Sequence, residues 1–464
     1  MKGQASWSYA PYRPFFFDGG DIYVCRVVPD ETSVHCEWLA APGPAYEVML
    51  RPEGQGDFAC AARVTVPEAT IEGLLPETDY EFYVQSGERK SRVRLARTGK
   101  PVGTVVNYLH PRDEAYAFSG RYLCSPSMVR HPKGYLLASM DLFAGESPQN
   151  LTLIFRSDDD GATWHYLTEL FPCFWGRLFI HEGEVYMLAC STEYGDLLIG
   201  KSEDGGRSFG APVALLRGSG RSGVPGVHKN PQPLVEYKGR LYGTLEWGAW
   251  RAGYHAAMVM SADTDADLLD PASWHFTPPV KYDPAWPGVA EGPSTGCIEG
   301  TLAVAPDGGL YNIMRYDMSK CSPNFGRALA FRVNTDDPDA PLQYDHAVAL
   351  PGNHAKFTIR QDEKTGLYFA IVSRILDASR AGDRNLLSLM VSRDLVKWDV
   401  ASDLIDRRND DPKTTGFQYV DWMIEGDDLI YLCRTAINRP HSFHDSNYQT
   451  FHRLRDFRRA LKLD

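Results

Sequence analysis

The sequence predicts an all-β protein: a small β-sandwich over residues 1–102, then a six-bladed β-propeller over residues 103–464. Three observations lead there. Apolar and polar residues alternate in short runs punctuated by Gly, Pro, Asn and Asp, the period of half-buried strands. A hairpin pattern recurs six times after Gly103. Two turns, "SDDDGATW" from Ser157 and "SEDGGRSF" from Ser202, share one skeleton 45 positions apart.

Composition narrows the function classes. Of the 464 residues, 43% are apolar and 23% charged, an ordinary globular balance. The net charge of −12 argues against nucleic acid or an anionic membrane as partner. No apolar run approaches the roughly 18 to 20 residues of a membrane helix. The opening "MKGQASWSYAPYRPFFFDGG" is too broken by Pro and Gly for a secretory leader, so a cytoplasmic chain is expected unless a leader was trimmed. The nine scattered cysteines contain no C-x-x-C, which predicts neither a disulfide framework nor a structural zinc site. No metal and no cofactor is expected; the protein partners are unknown.

In the first hundred residues, "DIYVCRVV", "SVHCEWLA", "YEVMLRP" and "YEFYVQS" read as strands of a sandwich, with Trp38 as a core aromatic. "GLLPETDYEFYV" places Leu75, Pro76, Thr78 and Tyr80 just before a strand. This resembles a fibronectin type III domain, whose tyrosine at that corner bonds back to the backbone. Such modules are spacers or docking surfaces. "ARTGKPVGT" then reads as a linker.

The six repeats begin at "CSPSMVRHPKGYLLASMD", "WGRLFIHEGEVYMLACS", "HKNPQPLVEYKGRLYGTLEWG", "CIEGTLAVAPDGGLYNIMRYD", "AKFTIRQDEKTGLYFAIVSR" and "FQYVDWMIEGDDLIYLCRTA". Third and fourth strands fill the intervals between hairpins. One four-stranded sheet cannot bury both its faces; six packed radially bury one another. The pattern S-x-D-x-G-x-[TS]-[WF] then falls between the third and fourth strands. Its Asp accepts backbone N–H bonds, its Gly supplies positive φ and its aromatic wedges between sheets. It resembles the Asp box of the sialidase superfamily and marks fold rather than chemistry.

A propeller brings the leading ends of its inner strands, and the trailing ends of its second strands, to one mouth. Those positions are Cys124, Ser125 and Asp141; Trp175 and Arg177; His228, Lys229, Asn230 and Glu246; Glu299, Arg315 and Asp317; His354, Lys356 and Arg374; and Tyr419, Asp421 and Arg434. Charge recurring at equivalent places in apolar hairpins predicts a polar ligand site. The resemblance to sialidases and related glycosidases assigns roles. That family has a strand-initial glutamate and an arginine about 16 residues on, here Glu299 and Arg315, and a nucleophilic tyrosine in the last blade, here Tyr419. Its first blade opens with an arginine that grips the sialic acid carboxylate; here Cys124 falls there. Its acid-bearing loop has no counterpart, and Asp141 and Glu246 are nearest in position. Arg315, Arg374, Arg434, His228, Lys356, Asp421 and Trp175 would bind substrate.

Three functions remain open. An exo-acting glycoside hydrolase on a uronic or other non-sialic sugar needs two facing acid/base or nucleophilic groups. A lyase on a uronate glycan needs a tyrosine or histidine base with Arg315 or Arg374 against the carboxylate. A binding propeller needs neither.

Overall fold

The computed structural model describes residues 6–8, 22–40, 43 and 45–461; the rest of the opening segment, read above for a leader, lies outside them. Nearly all regular structure is antiparallel β, with helix confined to short 3-10 turns such as Trp250–Ala252.

Residues 22–97 form two facing sheets. One pairs Ile22–Pro29, Val34–Ala40 and Glu68–Ile71; the other pairs Ala59–Val64, Tyr46–Pro52, Asp79–Ser86 and Arg94–Arg97. The alternation in "DYEFYVQS" explains the burial: Tyr80, Phe82 and Val84 turn inward and Glu81, Tyr83 and Gln85 outward. Trp38 is 1% exposed against Tyr46, and the Tyr80 hydroxyl accepts a hydrogen bond from the Leu75 amide at 2.9 Å.

Six further sheets follow. Sheet I holds Tyr122–Arg130, Leu136–Phe143, Thr152–Ser157 and His165–Leu170; sheet II holds Phe174–His181, Glu184–Cys190, Leu197–Ser202 and Val213–Leu216. Sheet III is built on Arg240–Ala249 and Tyr254–Asp263, with its first and last strands each split in two, so that it counts six strands rather than the expected four. Sheets IV and V run Cys297–Val304 to Gln343–Ala349 and Ile359–Gln361 to Asp399–Asp406. Sheet VI takes Gly416–Glu425, Asp428–Ala436 and Tyr448–Leu454 from the end of the chain and its fourth strand, Thr104–Tyr108, from before sheet I. The stretch read as running out of a linker therefore ties the two ends of this region together. Its sequence, "TVVNY", is too short to stand out by periodicity, and its partner lies more than three hundred residues away.

The two repeated turns are the same structure. Ser157 Oγ donates to Asp159 and accepts from the Gly161 amide, both at 2.8 Å, while Asp159 accepts from the Thr163 amide and hydroxyl at 2.8 and 2.6 Å. Ser202, Asp204, Gly206 and Ser208 repeat this at 2.8, 2.8, 2.9 and 2.6 Å. Each joins the third and fourth strands of its sheet. Trp164 is fully buried against Phe451 of sheet VI, and Phe209 packs among residues of sheets I and II. Gly161 has φ +88, and a Cβ there would stand 2.2 Å from the Phe451 ring. Gly161→Ala is expected to cost about 2–3 kcal/mol in urea unfolding, because backbone strain and a displaced core aromatic coincide.

Candidate active site

In four of the six sheets the inner strand carries a bulge at one common register. The residues there are Ser125, Trp175, Glu299 and Tyr419, with φ of 50, 54, 57 and 56°. Left-handed backbone at a non-glycine residue costs on the order of 1 kcal/mol or more and persists only where its surroundings hold it. A bulge also re-aims side chains out of the pleat. Beside each bulge the inner strand pairs with the trailing end of the second: Cys124 with Asp141, Phe174 with Cys190, Ile298 with Arg315, Gln418 with Arg434, and, without a bulge, His228 with Glu246.

Hydrogen bonds across the interior bring these strands together. Arg177 of sheet II meets Asp421 of sheet VI at 2.5 Å, Gln232 follows sheet III's inner strand and reaches the Phe357 carbonyl at 2.5 Å, and the Met128 amide of sheet I donates to Asp421 at 2.7 Å.

Glu299, Arg315 and Tyr419 form one cluster. Arg315 Nη1 stands 2.6 Å from Glu299 Oε2 and 3.1 Å from Tyr419 Oη, so one donor bridges carboxylate and phenol. Burial alone would raise the Glu299 carboxyl; the Arg315 charge overrides it and holds the group below its ordinary value. Burial and then the Glu299 charge push the Tyr419 phenol up, so it rests neutral. Arg384 and Arg434 flank the Tyr419 ring at 5.9 and 5.1 Å from its centroid. Arg384 binds Gln418 and the His354 carbonyl, and Arg434 binds Ser446 and the His444 carbonyl; neither guanidinium forms an ion pair with a carboxylate among the described residues.

Glu246 is wholly buried and both its oxygens are engaged, by His228 Nδ1 at 2.5 Å and by the Gly300 amide at 3.3 Å. It orients His228, which packs on Trp175 with ring centroids 4.4 Å apart. Asp141 is equally enclosed, held by Thr152 Oγ1 and the Gly176 amide. Burial pushes its carboxyl up to about 7 against those hydrogen bonds. Between its ordinary value and about 7 the native chain keeps a proton that the unfolded chain has released. Stability therefore falls as pH rises through that window and levels off above it. In Asp141→Asn this decline is absent, so the difference in urea midpoint between variant and wild type should widen from about pH 5 to about pH 8 in the variant's favour.

Three expectations need correction. Arg374 does not join the cluster: its guanidinium is fastened to Asp403 on the outer strand of sheet V at 2.6 and 2.8 Å and to Ser388 at 2.9 Å. Arg384, ten residues later in the sequence, is the sheet V arginine beside Tyr419. Asp421 does not face a ligand either, because it is fully buried and held by Arg177 and the Met128 amide. It is an internal brace. Lys356 is likewise buried, donating to the Val420 carbonyl at 3.1 Å.

Sequence reasoning also missed Glu193, in the loop after the second strand of sheet II. It is half-buried, accepts from Gln149 at 3.3 Å, and is raised by burial while the neighbouring His228 pulls it down. Its loop, "STEYGD", carries no strand periodicity, so nothing marked it. A cavity of about 600 Å³ lies at the other ends of the inner strands, lined by Leu234, Leu302, Ile359, Arg360 and Ile424, away from Tyr419.

No family model matches the sequence, and no curated protein matches it. Solved structures do. The chain is similar to a mutant α-L-arabinofuranosidase of Fusarium graminearum in complex with an iminosugar inhibitor, at 15% identity over 76% of this chain and 97% of that one, TM-score 0.50. It is similar to a protein of unknown function from Dyadobacter fermentans at 12% identity, over 77% and 99%, TM-score 0.52. The NanB sialidase of Streptococcus pneumoniae also matches, at 8% identity over 98% of both chains, TM-score 0.47. At such identities the likeness concerns the fold. The chain is an all-β protein of the β-propeller class.

Proposed function

We propose that the chain is an exo-acting glycoside hydrolase acting on a sugar that carries a carboxylate, a uronic residue at a glycan end. In this reading residues 103–464 are a six-bladed propeller closed by the 104–108 strand. The two repeated turns are its Asp boxes, and residues 1–102 are a fibronectin type III-like module. The observation that carries the reading is the Tyr419 cluster: a neutral phenol bridged to an ionised Glu299 by Arg315, beside two guanidiniums that have no carboxylate partner among the described residues.

A phenol with an adjacent carboxylate is a nucleophile activated on demand. Tyr419 Oη attacks the anomeric carbon as its proton passes to Glu299, and the bond to the leaving oxygen breaks as an acid protonates that oxygen. Water then releases the sugar from the tyrosine. Arg384 and Arg434 would hold the substrate carboxylate. Glu193 suits the acid, being a half-exposed carboxyl raised by burial, whereas Asp141 and Glu246 are sealed. Trp175 offers a face for the sugar ring. The fold shared with an arabinofuranosidase supports a sugar ligand in general terms.

The test is a panel of aryl glycosides and oligosaccharides with uronic, neutral and sialic ends, read by mass. Release of a uronic monosaccharide with a new reducing end is expected. An unsaturated product absorbing in the near ultraviolet would make the chain a lyase, and ligand binding without turnover would make it a lectin-like propeller.

A further inference from the structure

The sandwich sheet that pairs Val34–Ala40 with Glu68–Ile71 carries on its outward face a mixed cluster that the chemistry above does not use. Register places it there. Glu37 stands directly opposite Glu68, and His35 directly opposite Thr70. Alternation puts all four side chains on one face, while Val34, Cys36 and Trp38 fill the core on the other. One ligand atom from each of His35, Glu37 and Glu68 lies within 4.8 Å of the other two. The cluster escapes a reading of the sequence because its members sit on strands that only sheet pairing joins.

Each member suits a cation. His35 Nδ1 is 3.0 Å from the Thr70 hydroxyl. The tautomer that donates to that hydroxyl leaves a lone pair on Nε2, which stands 3.5 Å from Glu37 Oε1. Two carboxylates directly opposite each other on paired strands repel. Arg26 offsets one of them, at 2.6 Å from Glu37 Oε1, and is itself held by the Val105 and Val106 carbonyls. Glu68 has no hydrogen bond or ion pair among the described residues. Two carboxylates against one guanidinium leave one negative charge uncompensated, and Glu37 Oε1 keeps a second lone pair beside Arg26. Ligand atoms stand about 2.0–2.2 Å from a zinc ion. Closing the triangle therefore needs only small turns of His35, whose side chain is 27% exposed, and of Glu68, which reaches solvent.

We infer that His35, Glu37 and Glu68 bind a divalent transition-metal cation of the zinc class, with water at the open position, as a structural clamp. One imidazole nitrogen and two carboxylate oxygens are ligands such a cation takes. The cluster bears on the contact between the sandwich and sheet I. Glu37 Oε2 accepts from the Tyr166 amide at 3.2 Å, and Oε1 lies 3.2 Å from His165 Nδ1, both on the outer strand of sheet I. A cation that fixes Glu37 therefore fixes the sandwich against that strand. The inference is independent of the sugar chemistry proposed above, and its test needs no substrate.

The full-length protein, stripped with EDTA and dialysed into metal-free buffer, is titrated with zinc chloride while its Tm is followed. A saturable rise, reversed by EDTA, is expected. His35→Gln and Glu68→Gln should each bind zinc at least tenfold more weakly than the wild type. Without metal, Glu68→Gln should melt no lower than the wild type, because it removes the like-charge pair; a merely structural role for Glu68 would lower its Tm. Crystals soaked in zinc chloride should give an anomalous peak within bonding distance of His35 and both carboxylates, which decides the matter if a variant does not fold. A wild-type Tm that does not respond saturably, a response in both variants equal to that of the wild type, or a zinc peak only elsewhere overturns the inference.

Discussion

Tyr419→Phe is expected to lower kcat by roughly three to four orders of magnitude, with the urea midpoint unchanged. The substitution removes one oxygen. The ring stays between Arg384 and Arg434, and Arg315 keeps its 2.6 Å bond to Glu299. What disappears is the atom that would attack and the proton that Glu299 would take. Glu299→Gln should fall by a comparable factor, because its amide can neither accept that proton nor balance Arg315. Groups that act as a unit are not additive, so the double variant should be little worse than either single one. Arg384→Met should act differently, raising KM for a uronic substrate far more than for its neutral counterpart. Full turnover by Tyr419→Phe on the best substrate of the panel would remove the nucleophile from the proposal.

How much of this could be read beforehand follows from range. The repeated turns were legible because each is local: a serine, an aspartate and a glycine within five residues fix their own hydrogen bonds. Glu299, Arg315, Trp175 and Tyr419 were legible because hairpin register puts strand ends at predictable places. Their shared left-handed backbone was not, since no glycine marks it. The Arg374 reading failed at a strand end. The first residue beyond a strand can turn to either face, and here the Asp403 carboxylate on the outer strand takes it. Arg384 and Glu193 lie on irregular loops, where contacts depend on tertiary closure. Trp7 is similar: its indole donates to the Pro172 carbonyl at 2.7 Å and is fully buried between sheets I and II, in a segment that shows no strand pattern.

The second large effect concerns how the sandwich is held. Arg94→Met is expected to cost about 4 kcal/mol in urea unfolding, since it strands a buried carboxylate. Arg94 Nε meets Asp113 at 2.7 Å with the two side chains 4% and 1% exposed, and Arg94 also donates to the Val24 carbonyl. Asp113 lies just past the strand that completes sheet VI, so this pair joins the sandwich to the larger region. Nearby, Arg26 donates to the Val105 and Val106 carbonyls while paired with Glu37 at 2.6 Å, and the Tyr23 hydroxyl donates to Glu169 of sheet I at 2.8 Å. The sandwich therefore grips sheet VI's outer strand and sheet I's outer strand together, across the seam where the two ends of the six-sheet region meet. Because Asp113 keeps bonds from the Leu95 and Ala115 amides, the variant should still fold. Replacing both partners, Arg94→Met with Asp113→Leu, should recover part of the loss, as an apolar pair leaves no charge stranded. Wild type should unfold in one transition, and Arg94→Met should separate an early sandwich transition from a later one. Two well-separated transitions already present in the wild type would mean that the sandwich rides on the six sheets without bracing their closure.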